Sequence, residues 1–140
     1  MSTVEITKDN LEQTIADGGI VVLDFWAAWC GPCRSFAPVF EKASEANDDI
    51  VFGKIDTEAE QELAGMFGIT SIPTIMAFRD GINVFAQAGA LPAPTLDQLI
   101  DAVRGLDMED VRAQLAKEAE GGEAGGAQAS DDSASDTSPK

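Results

Sequence analysis

Two cysteines and one aspartate are the residues of this chain best suited to chemistry. Cys30 and Cys33 are the only cysteines among 140 residues. They stand three apart, just after the apolar run Ile20–Trp26. A Cys-x-x-Cys pair delivered by a strand into the first turn of a helix is the arrangement of a thiol–disulfide site. The thiolate is the reactive form of cysteine, so such a site needs a lowered pKa and access. Cys30 falls where the strand ends, and the unpaired N–H groups and positive dipole end of the following helix favour an anion there. Cys33, one turn later, lies on the same face and within disulfide reach. The expectation is an exposed Cys30 that attacks and a more buried Cys33 that resolves.

Other uses of two close cysteines fit less well. A structural zinc or an iron–sulfur cluster usually takes four Cys or His ligands, and the chain has two cysteines and no histidine. Residue 34 is Arg, which excludes haem attachment through Cys-x-x-Cys-His. An inert pair of buried thiols is the remaining alternative. No metal is expected.

Asp24 is the second signal. It interrupts a run that should be covered on both faces, and burying an unpaired carboxylate is costly. Such a group raises its pKa and stays protonated near neutral pH, which suits a proton acceptor for Cys33. The competing reading is an Asp that faces solvent, or that only pairs structurally with a lysine such as Lys54. A third, weaker signal is Ile72-Pro73-Thr74. An ordinary turn proline is the default there, since only about 5% of such bonds are cis.

Thr3 to Ile6 alternates as a short edge strand would, and Leu11, Ile15 and Ala16 follow at helical spacing. Thr7 or Asn10 can cap that helix, and Gly18-Gly19 stops it. The next strand, Ile20–Trp26, is apolar on nearly every position, which marks a central one. From Pro32, tolerated in a first turn, the pattern turns helical, with Phe36, Val39, Phe40 and Ala43 on one face. Pro38 should kink this helix. Residues 50–56 read as another strand, and Thr57-Glu58-Ala59-Glu60 as a capping box. Leu63, Met66 and Phe67 continue on one helical face, with Gly68 as stop. Two strands, Thr74–Arg79 and Ile82–Ala88, join through Asp80-Gly81, a hairpin signal. A last core helix opens at Pro94 and turns Leu96, Leu99, Ile100 and Val103 inward. The order β-α-β-α-β-α-β-β-α implies an α/β fold, a mixed sheet with helices on both faces.

Formal charge is −16, from 9 basic and 25 acidic residues. Residues 1–106 carry −10 of it and residues 107–140 carry −6. A chain this acidic is repelled by phosphate backbones and anionic lipid surfaces, so neither nucleic acid nor membrane is expected as a partner. The N-terminus lacks a basic segment followed by an apolar one, and no apolar run approaches the ~20 residues of a membrane span. A soluble, cytoplasmic protein is expected. Met108, Val111 and Leu115 suggest a short amphipathic helix within 107–120. Residues 121–140 hold only Gly, Ala, Ser, Thr, Asp, Glu, Gln, one Pro and one Lys. Such a segment buries too little surface to offset its ordering entropy and is expected to be disordered. It reads as a solubilising tail, or else as a segment that binds a partner or tethers the domain.

Together these residues resemble the thioredoxin family. Trp29-Cys30-Gly31-Pro32-Cys33 is that family's active-site motif. Asp24-Phe25-Trp26-Ala27, Pro38, Lys54, Ile72-Pro73-Thr74 and Gly89 match it as well. The resemblance covers about residues 3–106, a single domain 1–106. It implies the thioredoxin fold, a five-stranded mixed central sheet flanked by four helices, with Pro73 cis and facing the cysteines. It also implies a protein-disulfide reductase in which Cys30 attacks, Cys33 resolves and Asp24 is the buried base with Lys54 its neighbour. Trp29, Gly31, Pro32, Ile72, Pro73 and Gly89 would line the surface where a substrate chain lies. The Gly-Pro pair between the cysteines resembles the reducing members. By that resemblance the partners are disulfide-containing proteins and a flavin-dependent thioredoxin reductase using NADPH, so the protein itself holds no cofactor, and it is a monomer. The alternative class is a thioredoxin-like binding or chaperone module that works by its fold and not its redox state.

Overall fold

The computed structural model describes residues 3–17 and 19–125. They form β1 (Val4–Glu5), α1 (Leu11–Ala16), β2 (Ile20–Trp26), α2 (Gly31–Ala46), β3 (Val51–Asp56) and α3 (Gln61–Met66). Then follow β4 (Thr74–Arg79), β5 (Ile82–Ala88), α4 (Ala93–Arg104) and α5 (Met108–Gly125). The chain divides into two units, the first ending at Arg104 and the second starting at Gly105. The expected disordered tail lies, from residue 126 on, outside the described residues. Gly18, half of the expected helix stop, lies outside them too.

The five strands make one mixed sheet in the order β1-β3-β2-β4-β5. Strands β1, β3 and β2 run parallel, and β4 and β5 run antiparallel to their neighbours. Because β2 pairs on both edges, its continuous apolar run is what a strand covered on both faces requires. Alternation sends Val21, Leu23 and Phe25 into one core with Leu11 of α1 and Leu63 of α3. Val22 goes to the opposite core, with Phe36 and Phe40 of α2 and Leu96 and Ile100 of α4. By that alternation Asp24 and Trp26 belong to the α2/α4 side.

Local chemistry accounts for the joints. Asp80 and Gly81 both have positive φ, 54° and 83°, as a two-residue type I′ hairpin demands. Helix α3 ends in a Schellman motif: Gly68, φ 65°, donates to Gly65 and Ile69 donates to Ala64. Helix α2 runs through Pro38 without a break in assignment.

The expected capping box at Thr57 does not form. Helix α3 starts only at Gln61, with no side-chain cap. The Thr57 hydroxyl donates instead to the Trp26 carbonyl, 3.1 Å away. Asp56 caps the preceding turn by accepting from the Glu58 and Ala59 amides at 2.9 and 3.3 Å. An aspartate at the strand's last residue reaches those amides first, which a pattern search centred on Thr57 overlooks. Similarly, Asn10 makes no cap bond to α1; its Oδ1 accepts from the Thr7 amide at 2.8 Å and closes the turn before it. Helix α5 extends to Gly125, past the expected residue 120. Asp107 Oδ1 accepts from the Glu109 and Asp110 amides at its start.

Gly53 in β3 is required by a close approach. A Cβ there would meet Ile6 Cγ1 at 2.5 Å and Leu23 Cδ2 at 3.0 Å, both inside the core. We expect Gly53→Ala to lower stability by about 1–3 kcal/mol through overpacking, read as a lower denaturant midpoint with an unchanged slope.

Candidate active site

Strand β2 ends at Trp26, and a short turn closed by the Cys30 amide on the Ala27 carbonyl, 3.2 Å, brings the chain to α2. Cys30 is the N-cap of α2, with extended φ −87° and ψ 114°. Its Sγ accepts from the Cys33 amide at 3.2 Å. Sulfur thus occupies the position that a capping oxygen usually fills, facing otherwise unpaired donors. Charge on that sulfur is favoured by those donors and by the positive end of a 16-residue helix. Cys30 and Cys33 are joined in a disulfide, with Cα atoms 5.2 Å apart. Both are more buried than the expected exposed nucleophile, at 4% and 2% exposure.

The peptide Ile72–Pro73 is cis. It sets the Ile72 carbonyl 3.7 Å from Cys30 Sγ, where a reduced thiol could donate a weak hydrogen bond. Ile72 packs with Trp26 against Ala27 and the two cysteines. Gly89, φ 107°, donates its amide to the Pro73 carbonyl at 2.7 Å. Trp29 is 66% exposed beside the disulfide, its Nε1 donating to Glu58 Oε2 at 3.2 Å. A cleft of about 180 Å³ runs from Trp29 past Ala64 and Ile69 to Ile72.

Asp24 stands on the α2/α4 face of the sheet, in the strand that leads to Cys30. It is 0% exposed, and neither carboxylate oxygen has a hydrogen-bond partner. Burial pushes its pKa up to about 7, against a smaller lowering by the Lys54 charge. Lys54 is its register partner on β3. The ammonium, however, lies over the Trp26 ring, 4.9 Å from the ring centroid.

The family model for thioredoxin matches residues 2–102. The chain belongs to the thioredoxin family. It is 57% identical over 117 residues to a thioredoxin-named protein of Streptomyces coelicolor, covering 84% of this chain and 87% of that one. Bacillus subtilis thioredoxin is 38% identical over 102 residues, 72% of this chain and 97% of the relative. Among solved structures, a mutant thioredoxin of Halobacterium salinarum superposes with a TM-score of 0.70 at 32% identity, over 76% of this chain and 94% of that one. The resemblance read from the motif therefore holds across the first unit, and the fold is the thioredoxin fold.

Of the residues the thioredoxin motif singled out, the structure brings Trp29, Cys30, Cys33, Ile72, Pro73 and Gly89 to one end of the sheet. Gly31 and Pro32 form the first residues of α2. Asp24 and Lys54 are register partners on one face of the sheet but are not ion-paired. Two neighbours escaped the sequence reading as site residues. Trp26 had a usable signal, since alternation puts it two positions from Asp24 on the same face. Glu58, read as part of a cap, had none. Among the described residues, no group of three or more His, Cys, Asp or Glu side chains is placed to hold a metal ion. No described helix is long and apolar enough to cross a membrane.

The raised pKa of Asp24 carries a stability consequence with a definite sign. The folded state holds this proton more tightly than the unfolded chain, where the carboxyl titrates near 3.8. Stability is therefore undiminished below about pH 4, falls as pH rises, and levels off above about pH 7. At about 1.36 kcal/mol per unit the full loss is a little over 4 kcal/mol. We expect Asp24→Asn to be more stable than wild type at pH 8 by roughly 2–4 kcal/mol. Denaturant melts of the oxidised proteins should show that gap closing toward pH 4.

Proposed function

We propose that this protein reduces protein disulfides in the cytoplasm, as a monomer, by dithiol–disulfide exchange, and that a flavin-dependent thioredoxin reductase regenerates it with electrons from NADPH. The observation that carries the reading is the sulfur of Cys30 capping α2 next to the Ile72–Pro73 peptide. A thiolate there, favoured by the helix start, meets a strip of backbone and the exposed Trp29 ring, on which an extended substrate segment can lie.

In the reduced protein, Cys30 thiolate attacks one sulfur of a substrate disulfide, and the other substrate sulfur leaves as thiolate. Cys33 then gives its proton to Asp24 and attacks Cys30 Sγ. The second substrate sulfur leaves, and Cys30–Cys33 closes as the disulfide seen here. Two electrons pass to the substrate. A base whose pKa lies near working pH serves this step best, and burial brings the Asp24 carboxyl to about 7. Gly31, Pro32, Pro73 and Gly89 contribute shape and backbone groups to the substrate surface. Lys54 supplies the neighbouring cation, and no resident cofactor takes part. The domain 1–106 contains every one of these residues; the segment 107–140 contains none.

Insulin reduction with NADPH and a thioredoxin reductase tests the reading. Turnover should fall to background in Cys30→Ser, and Cys33→Ser should accumulate a mixed disulfide with the substrate. Partner binding that survives loss of both cysteines, with no turnover in the wild type, would establish a binding module instead. In stopped-flow measurements at pH 7, Asp24→Asn should slow resolution of the mixed disulfide by roughly tenfold or more. An unchanged rate from pH 6 to 9 would reduce Asp24 to a structural residue.

A further inference from the structure

Lys54 and Asp24 are register partners on adjacent parallel strands, and alternation puts their side chains on the same face. An ammonium that close to a buried carboxyl ordinarily forms an ion pair with it. Here it does not: both Asp24 oxygens are unpartnered, and the Lys54 Nζ sits over the Trp26 ring at 4.9 Å. Trp26 follows Asp24 by two residues on β2, and it also packs against the cluster of Ala27, Cys30 and Cys33. One ring therefore touches the disulfide surroundings and holds the cation that would otherwise neutralise Asp24.

We propose that Trp26 is a positioning residue: its ring competes with the Asp24 carboxylate for the Lys54 ammonium, so that Lys54 rests on the ring while Asp24 is protonated and moves to the carboxylate when Asp24 is ionised. This rests on Asp24 being the proton acceptor for its place in the reaction, but not for its physics. Attraction between an ammonium and an indole face is comparable to a partly screened ion pair, so either site can hold the cation. The competition keeps the carboxyl protonated to a higher pH than an unopposed Lys54 would allow. It also returns a counter-charge at the moment Cys33 gives up its proton.

Few other groups bear on Asp24. On the same face β3 offers Lys54 and Asp56, the latter engaged with the Glu58 and Ala59 amides, and β1 offers the exposed Glu5, register partner of Lys54 on its other edge. The start of α2 offers Cys30 and Cys33, which hold no proton in the disulfide. Strand β4 contributes Ile75 and Ala77 to that face, and α4 contributes Leu96, Leu99, Ile100 and Val103. None of these titrates.

The test is a carbon-13 NMR titration of the Asp24 carboxyl in the oxidised full-length protein, which reads the group directly and needs no turnover. Trp26→Leu keeps the site apolar but removes the ring, freeing Lys54 to pair. Its midpoint should fall by about one pH unit. Lys54→Gln should raise the midpoint, and in that background Trp26→Leu should change it by less than about a third of that fall. Trp26→Phe, with a weaker ring, should give a smaller fall, and it carries the test if Trp26→Leu does not fold. A midpoint unmoved or raised by the Trp26 changes would overturn the proposal. So would an equal fall in the Lys54→Gln background, because hydration and not Lys54 would then be the cause. Failure of the base reading shows elsewhere, as an unchanged resolution rate in Asp24→Asn.

Discussion

The hydrogen bond from the Cys33 amide to Cys30 Sγ is the contact on which the rest of this structure turns. A helix start has backbone donors that need partners, and in this chain one of those partners is a reactive sulfur. The bond settles two matters together. It caps α2, and it aims a backbone donor at Cys30 Sγ, where the helix start favours negative charge once the sulfur is reduced. It requires that β2 end at a fixed point against α2, which is why a strand paired on both edges precedes the motif. The central position of β2, with six register pairs to β3 and six to β4, fixes that end point.

The same strand carries the molecule's least comfortable residue. A carboxyl with 0% exposure and no hydrogen bond weakens the fold at the pH where the site would work. Natural folds tolerate such a loss where function needs it. A partnered Asp24 would make the protein more stable and would also be a poorer proton acceptor. The cation that could have partnered it is held a short distance away over an indole ring. In that arrangement a charge is near enough to help an ionised Asp24 and far enough not to ionise it early.

On the proposed function, the substrate side of the site is built largely from backbone. The Ile72–Pro73 peptide and the Pro73 carbonyl held by Gly89 are backbone groups, and the exposed Trp29 ring anchored by Glu58 stands at the same end of the sheet. A surface of this kind favours extended chains without selecting strongly among their side chains. The acidic character of the whole chain then bears on which partners approach, by long-range steering rather than by contact.

Much of this was present in the sequence because the relevant signals are local. The apolar run of β2, the two-residue spacing of the cysteines, Pro32 in a first turn and Asp80-Gly81 each dictate geometry within a few residues. Strand and helix order followed from periodicity. The boundaries at α3 and α1 did not, since Asp56 and Asn10 compete for the same amides that Thr57 and the first turn of α1 would use. Sequence by itself determined the reactive pair, the fold class and the presence of a misplaced aspartate. Only the tertiary structure decided that the aspartate is unpaired, that Lys54 goes to Trp26, and that Glu58 anchors Trp29. Those choices depend on which side chains strand pairing brings together and on how much water is excluded between them, and neither can be read from one stretch of chain.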